Sequence, residues 1–370
     1  KQRGNEVNVY DLATSFQDVV VDILTKKTMR AVKIPCEDTI ELHQVPIPEP
    51  QKGWVRIKMK ASALCRSDLY RFHGQKVFED TGDESFITPG HEPCGIVEKL
   101  GEGVDKVKEG DRVAIYLAIG CGHCEHCLSG NTVLCPEFKC IGFALDGAHA
   151  DYIVVPQECC LPLPDDMDFV TGALSTDVAG TLYTACRRIG VNATKTVTIF
   201  GIGPMGMGGV LIAKALGARV IVSDINEQRL ALAKELGADV AINSKEVDAV
   251  AEIKRLTGGR GSDCVICCAG NNIAYNQALD CAKKGGNVAF IAEAHGITID
   301  PSAQFINKRL NVMGCWYFNC CDWREITDFI LDQKVPLKAI ATKLYDLDDA
   351  DEAFRLFDSG KTQKVVFVWD

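Results

Sequence analysis

The chain has 370 residues, of which 47% are hydrophobic and 24% charged, and a formal net charge of −10. This is the make-up of a globular protein of two to three domains and excludes global disorder. An acidic chain without a Lys/Arg run is a poor partner for nucleic acid, and no stretch approaches the roughly 18 uninterrupted apolar residues that cross a membrane.

Residues 1–28 read as an extension ahead of Met29; residues 19–24 within it are apolar enough to pack, with no function assigned. No apolar signal-peptide core follows Lys1, so a cytoplasmic location is expected. From 29 to about 165, short strands alternate with Pro- and Gly-rich turns, as at 55–60, 95–101 and 111–116, which predicts a mostly β, barrel-like domain. Near 180 the texture changes. Strands are predicted at 196–200, 220–223, 239–242, 263–267 and 287–291, with helices between them over 204–215, 226–236, 248–256 and 273–284, the last ended by Gly285-Gly286. Strand and helix alternating at this spacing imply a parallel, doubly wound sheet. The final segment predicts helices over 322–332 and 348–359 and a closing strand over 364–369.

Three constellations carry chemistry. Gly201-Ile202-Gly203-Pro204-Met205-Gly206 follows an apolar strand and opens a helix, and Asp224 ends the next strand. That context is what a dinucleotide site requires. Gly201 makes the turn, Gly203 lets backbone N–H groups approach a pyrophosphate at the helix N-terminus, and Gly206 allows close helix–strand packing. Asp224 accepts hydrogen bonds from ribose hydroxyls and repels a 2′-phosphate, which selects NAD over NADP. Arg229, the nearest base, is placed to reach the adenine face or the ribose. A purely structural turn is the alternative.

Eighteen cysteines are many for one chain. They are either small buried residues of a reduced protein or, in part, metal ligands. Cys121, Cys124, Cys127 and Cys135 lie within fifteen residues and can fill all four positions of a tetrahedral zinc, which would then be structural. Scattered structural cysteines and a zinc-ribbon nucleic-acid module are the alternatives; the acidic composition and the lack of basic residues among the knuckles count against the ribbon. His123 and His126 stand between the ligands, but four thiolates complete the count. The third set is dispersed: Cys65, His91-Glu92 and Asp177 together offer the three protein ligands and open position of a catalytic zinc.

With these motifs in order, Cys65-Arg66-Ser67-Asp68, Gly90-His91-Glu92, the four-cysteine lobe and the Gly-rich turn, the chain resembles the zinc-dependent medium-chain dehydrogenases, the group of alcohol, sorbitol and threonine dehydrogenases, from Met29 to its end. The resemblance implies a GroES-like catalytic domain (29–178 and 319–370) carrying two zincs, and a Rossmann domain (179–318) binding NAD. Cys65 and His91 then resemble the first two catalytic zinc ligands. The frame before Gly180-Thr181-Leu182-Tyr183 places Asp177 as the third, and Glu92 resembles a neighbouring carboxylate that can itself approach the metal. Ser67 resembles the hydroxyl that contacts the substrate oxygen and starts a proton relay. The His that often continues that relay is replaced by Tyr70, with His73 nearby. Arg66 resembles a contact to the cofactor pyrophosphate, and Thr181 one near the nicotinamide.

The expected activity is hydride transfer between a secondary alcohol, polyol or sugar-like cyclitol and NAD. A biosynthetic ketone or aldehyde reductase is the alternative, and a zinc-bearing structural or regulatory protein would need a broken ligand set. The acidic stretch 75–87, with Glu79, Asp80, Asp83 and Glu84, is either a lid over the cleft or a solvated loop. A homo-oligomer, dimer or tetramer, is expected through a sheet edge near 308–318.

Overall fold

The structure, a computed structural model, describes residues 28–78 and 86–370. The extension up to residue 27 and the carboxylates Glu79, Asp80, Asp83 and Glu84 lie outside the described residues.

The first half folds as expected into β-structure. Strands β1 (Thr28–Lys33) and β2 (Glu41–Pro46) form an antiparallel pair. The long β3 (Trp54–Ala63) pairs with β4 (Glu92–Leu100) on one side. Strands β5 (Arg112–Ile115) and β9 (Cys160–Pro162) continue beyond β4, and β8 (Tyr152–Pro156) also pairs with β3. Two elements from the far end of the chain, β16 (Ala341–Tyr345) and β17 (Lys364–Val368), complete this sheet by laying β17 antiparallel to β3. Between β3 and β4 runs the short helix α1 (Arg66–Phe72). The lobe after β6 (Ala118–Ile119) holds α2 (Glu125–Leu128) and returns through β7 (Lys139–Cys140).

After β9 come α3 (Phe169–Leu174), a π-helical turn over Ser175–Gly180 and α4 (Thr181–Arg188). The second sheet then follows: β10 (Thr196–Phe200), α5 (Pro204–Ala215), β11 (Arg219–Asp224), α6 (Glu227–Glu235), β12 (Val240–Asn243), α7 (Ala249–Leu256), β13 (Ser262–Cys267), α8 (Asn272–Cys281), β14 (Ala282–Phe290) and β15 (Asn311–Gly314). All its strands are parallel, in the spatial order β12-β11-β10-β13-β14-β15. That is the doubly wound order, with its topological switch between β10 and β13. Strands buried on both faces are near-continuous apolar runs, and β10, β11 and β13 are mostly so, with Thr198 of β10 bonded to Ser262 of β13. The C-terminal segment adds α9 (Trp323–Asp332) and α10 (Ala350–Asp358). One hydrophobic cluster runs from Ile57 and Val97 of the first sheet through Val178 and Leu182 to Ile199 of the second sheet and Val210 of α5.

One predicted boundary is corrected. The helix predicted over 273–284 stops at Cys281, and Ala282 already begins β14, so Gly285-Gly286 lie inside a strand. The cause is a bulge: pairing with β13 slips between Ser262↔Ala282 and Cys264↔Asn287, and Gly285 takes φ +70°. Lys283 pairs with Asp263 of the neighbouring strand, a tertiary contact that overrides the helical tendency of Ala282-Lys283-Lys284.

Candidate metal and dinucleotide sites

Cys65 caps the N-terminus of α1, just after β3 ends. Asp68, one turn on, accepts the Cys65 backbone N–H at 2.9 Å, so the first turn of the helix fixes the thiol's position. Glu92 opens the facing strand β4, and His91 immediately precedes it. The backbone there is pressed so closely on His149 that a Cβ on Gly90 would sit 2.7 Å from the His149 backbone N, and Gly90 takes φ +103°. Asp177 stands on the π-helical turn, a rare conformation that often marks functional positions.

These four residues, far apart in sequence, converge. Ligand atoms of Cys65, His91, Glu92 and Asp177 all lie within 4.8 Å of one another, with Cys65 Sγ 3.5 Å from Asp177 Oδ2. Asp68 stands behind His91, its Oδ1 3.6 Å from His91 Nδ1, where a carboxylate orients an imidazole ligand. Burial raises the pKa of both Cys65 and Glu92, and Lys364 draws each back. Burial works against a charged His91, yet Asp68 and Cys65 hold its pKa well above the usual value. The cluster is thus rich in acidic groups and short of positive charge. A sulfur, a nitrogen and carboxylate oxygens around one point are the donor set of zinc, and a divalent cation supplies the missing charge. The residues fit the metal.

Ser67 is half-buried on α1, its Oγ 4.0 Å from Cys65 Sγ, and Arg66 beside it is exposed. Thr181 is buried, 3.5 Å from Asp177 Oδ1. His73 does not stand in for the relay at Tyr70. It caps the far end of α1, bonded to Asp38 and Asp358 at 2.9 Å each.

The second cysteine set also converges: Cys121, Cys124, Cys127 and Cys135 bring their sulfurs within 4.8 Å of one another. Backbone N–H groups point at the sulfurs, from Cys121 to Cys135, Cys124 to Cys121 and Cys127 to Cys124, at 3.3 to 3.4 Å. Donation from the His123 backbone leads the causes that lower the Cys121 thiol to about 6. His123 turns its ring to the Cys121 carbonyl instead. The set suits a metal held entirely by protein.

On the second sheet, the turn after β10 has the expected form. Gly201 takes φ +80° with Ala269 so close that a Cβ would meet it at 2.7 Å, and a Cβ on Gly206 would lie 1.9 Å from the Gly201 carbonyl. Gly203 caps α5, Pro204 and Met205 open it, and a Cβ on Gly203 would meet only open space. The turn lies at the sheet's switch point and leaves a cradle at a helix N-terminus, which fits a dinucleotide. Asp224 accepts backbone N–H groups from Ile202, Ile225 and Asn226 at 2.5, 2.7 and 2.9 Å. Arg229 does not reach toward this cradle as a free base: its Nη2 donates to the Gly360 carbonyl at 3.2 Å.

Three residues around the first site escaped sequence reading in their roles: Asp68 beside His91, His149 beside Asp68, and Lys364 on Glu92. Only Lys364 left a signal, as a cation opening an otherwise apolar strand. All eighteen cysteines are free thiols, and no helix among the described residues is long and apolar enough to cross a membrane.

Known proteins agree with this picture. Residues 51–165 match the family model of the alcohol dehydrogenase GroES-like domain, and residues 204–332 that of the zinc-binding dehydrogenases. The zinc-type alcohol dehydrogenase-like protein YphC of Escherichia coli, itself uncharacterized, is 34% identical over 92% of this chain and 98% of its own. A sorbitol dehydrogenase of Halalkalibacterium halodurans is 33% identical over 88% of this chain and 95% of its own. Among solved structures, the alcohol dehydrogenase TADH from Thermus sp. ATN1 superposes with a TM-score of 0.85 at 25% identity, over 92% of this chain and 99% of its own.

Proposed function

Because the chain belongs to the zinc-dependent medium-chain dehydrogenase family, we propose that it oxidises a secondary alcohol or polyol with NAD, using one catalytic and one structural zinc. The observation that carries this reading is the convergence of Cys65, His91, Glu92 and Asp177 within 4.8 Å, in a chain that also bears the Gly-rich turn. Cys65, His91 and Asp177 would hold the catalytic metal, with Glu92 beside them, and the four lobe cysteines the structural one. When bound, zinc eases removal of an alcohol's proton and NAD accepts the hydride. Ser67 would accept the hydroxyl proton as it releases its own to solvent, and the alcohol becomes the ketone. Gly201, Gly203 and Gly206 seat the pyrophosphate on α5 with Arg66 beside it, Asp224 holds the adenosine ribose, and Thr181 borders the nicotinamide.

The polyol preference draws support from the anionic cluster and from the likeness to a sorbitol dehydrogenase. We place the catalytic domain at 29–178 and 319–370 and the dinucleotide domain at 179–318. We expect a homo-oligomer joined at β15, the edge of the parallel sheet. Eighteen cysteines without a disulfide among them suit a reducing, cytoplasmic setting. The test is NAD⁺ reduction against a panel of polyols and secondary alcohols, with zinc measured on the same sample. No turnover of any alcohol by zinc-replete protein would overturn the reading.

A further inference from the structure

The four sulfurs of the cysteine lobe are not equally accessible. At Gly120 the chain passes so near that a Cβ there would lie 2.5 Å from Cys127 Sγ and 3.2 Å from Cys135 Cβ. The backbone therefore covers those two members, and Cys135 is buried. Around Cys121 the chain is open instead. A Cβ on Gly122 would meet nothing within 4 Å, and His123 and Glu137 are both exposed. These two side chains meet at Cys121: its sulfur, a ring nitrogen of His123 and a carboxylate oxygen of Glu137 lie within 4.8 Å of one another.

Both outer residues are held by the backbone that grips the quartet. The Glu137 N–H donates to Cys135 Sγ at 3.3 Å. The His123 ring donates its Nδ1–H to the Cys121 carbonyl at 2.9 Å. That bond leaves the lone pair on Nε2, the arrangement usual for an imidazole that binds metal. Sulfur, nitrogen and oxygen from three exposed or half-buried residues form a zinc donor set with room left for water. The outer set shares Cys121 with the quartet, so the two positions are alternatives for one sulfur. A site closed by four thiolates also needs an entry path, because a hydrated ion sheds its waters one at a time as protein ligands replace them.

We propose that Cys121, His123 and Glu137 form a transient entry site, which captures a divalent zinc ion from solvent and passes it to the four-cysteine position. The inference rests on the structural-zinc reading above and deepens it. Cys121 as thiolate, His123 and Glu137 bind the hydrated ion first and displace part of its water. Cys124, Cys127 and Cys135 then release their thiol protons to solvent and take the places of His123, Glu137 and the remaining water. Cys121 stays bound throughout, the ion remains divalent, and no electrons are exchanged. Because His123 and Glu137 are absent from the final ligand set, they set the rates of loading and release and leave the equilibrium unchanged.

The probe is cadmium, added to the zinc-replete protein. Thiolate-to-cadmium absorbance reports mainly the lobe, which offers four sulfurs where the other cluster offers one. His123→Ala combined with Glu137→Gln should slow the rise of this signal at least about tenfold. Losing even an outer partner of a metal ligand typically costs about 10–100-fold in affinity, and here the affinity is that of the transient complex. The final cadmium signal, the zinc content before addition and the melting temperature should match the parent. His126→Ala, which removes a neighbouring imidazole outside the set, should change the rate less than about twofold. An unchanged rate in the double variant overturns the inference and leaves the structural zinc standing. A slower rate accompanied by lower zinc content or melting temperature also overturns it, because the two residues would then serve the final site. So does a third metal retained per chain at equilibrium, which would make the outer set a storage position. A lobe that holds neither zinc nor cadmium removes the structural-zinc reading together with this one.

Discussion

Lys364, the first residue of the last strand, donates to the carboxylate of Glu92, the residue after His91, and at 3.0 Å to the carbonyl of Leu64, the residue before Cys65. One buried ammonium thus ties together the two segments that carry the paired metal-ligand candidates, from a position 272 residues beyond Glu92. Burial opposes its charge, but Glu92, Cys65 and Asp177 hold its pKa above the usual value.

Removing one member of a fully buried ion pair leaves the other as an uncompensated charge, which typically costs about 3–5 kcal/mol. Lys364 is 1% exposed and Glu92 0%. Lys364→Met should therefore lower the unfolding free energy by an amount of that order in urea titration. Lys364→Met combined with Glu92→Gln should recover part of the loss, because no unpaired charge remains. Equal stability of the single variant and the parent would mean the pair contributes nothing.

Asp177 is the most informative single position in the metal cluster. Asp177→Asn should cut turnover by at least about a hundredfold, since even an outer partner of a metal ligand is worth 10–100-fold, while NAD binding, seated on the other sheet, survives. Zinc analysis should show one metal lost and the lobe metal retained. Retention of both zincs and of activity would hand the third position to Glu92 or a water.

The lobe metal makes a different prediction. Where four thiolates close the coordination shell, metal binding is folding free energy. Cys124→Ser should lower the melting temperature and the solubility of reduced protein, with the catalytic zinc still bound at low temperature. Scanning calorimetry alongside metal analysis reads both, on samples kept reduced because neighbouring thiols oxidise together.

The legible parts of this molecule were those encoded locally. The four lobe cysteines sit within one loop, and the turn after β10 must be glycine where Ala269 and the Gly201 carbonyl leave no room for a Cβ. The parallel, doubly wound sheet followed from the alternation of its strands with helices, whereas the order of the strands did not. Long-range partners were not legible. Nothing around Asp68 announces that it will stand 3.6 Å from His91. The bulge at Gly285 was hidden too, because its cause lies on β13. Asp177 was reachable only through the family frame, since a π-helical turn has no sequence signature of its own.

His73 makes stability pH-dependent. Bonding to Asp358 is the largest cause raising its pKa above the usual value; burial opposes it and Asp38 adds to the rise. Only the imidazolium can donate to both carboxylates. A folded pKa above the unfolded one, about 6.5, means the stabilisation is complete below that pH and fades as pH rises through the higher folded value. Unfolding free energy from urea titration should thus fall between pH 6 and pH 9 more steeply in the parent than in His73→Ala. The effect is modest because the ring is partly solvated.

Cofactor choice should turn on Asp224. A carboxylate at the end of β11 accepts bonds from a free ribose 2′-hydroxyl and repels a 2′-phosphate. The neighbouring residues do not offset this: Glu227 adds negative charge and pairs with Asn243, and Arg229 is engaged by the Gly360 carbonyl. A preference for NAD⁺ over NADP⁺ of roughly 100-fold in kcat/KM, about 2.7 kcal/mol, is expected. The same carboxylate, however, receives the Ile202 N–H at 2.5 Å, so it also shapes the Gly-rich turn. Asp224→Ser should therefore act twice. It should erode the discrimination by relieving the repulsion, and it should raise KM for NAD⁺ by loosening the turn and removing the ribose contact. Asp224→Asn keeps an oxygen for the Ile202 N–H while removing the charge, so it should erode discrimination with a smaller rise in KM. Steady-state kinetics of the two variants with both cofactors separate the charge from the scaffold. A parent enzyme that uses NADP⁺ as well as NAD⁺ would show that a base elsewhere in the cradle outweighs Asp224.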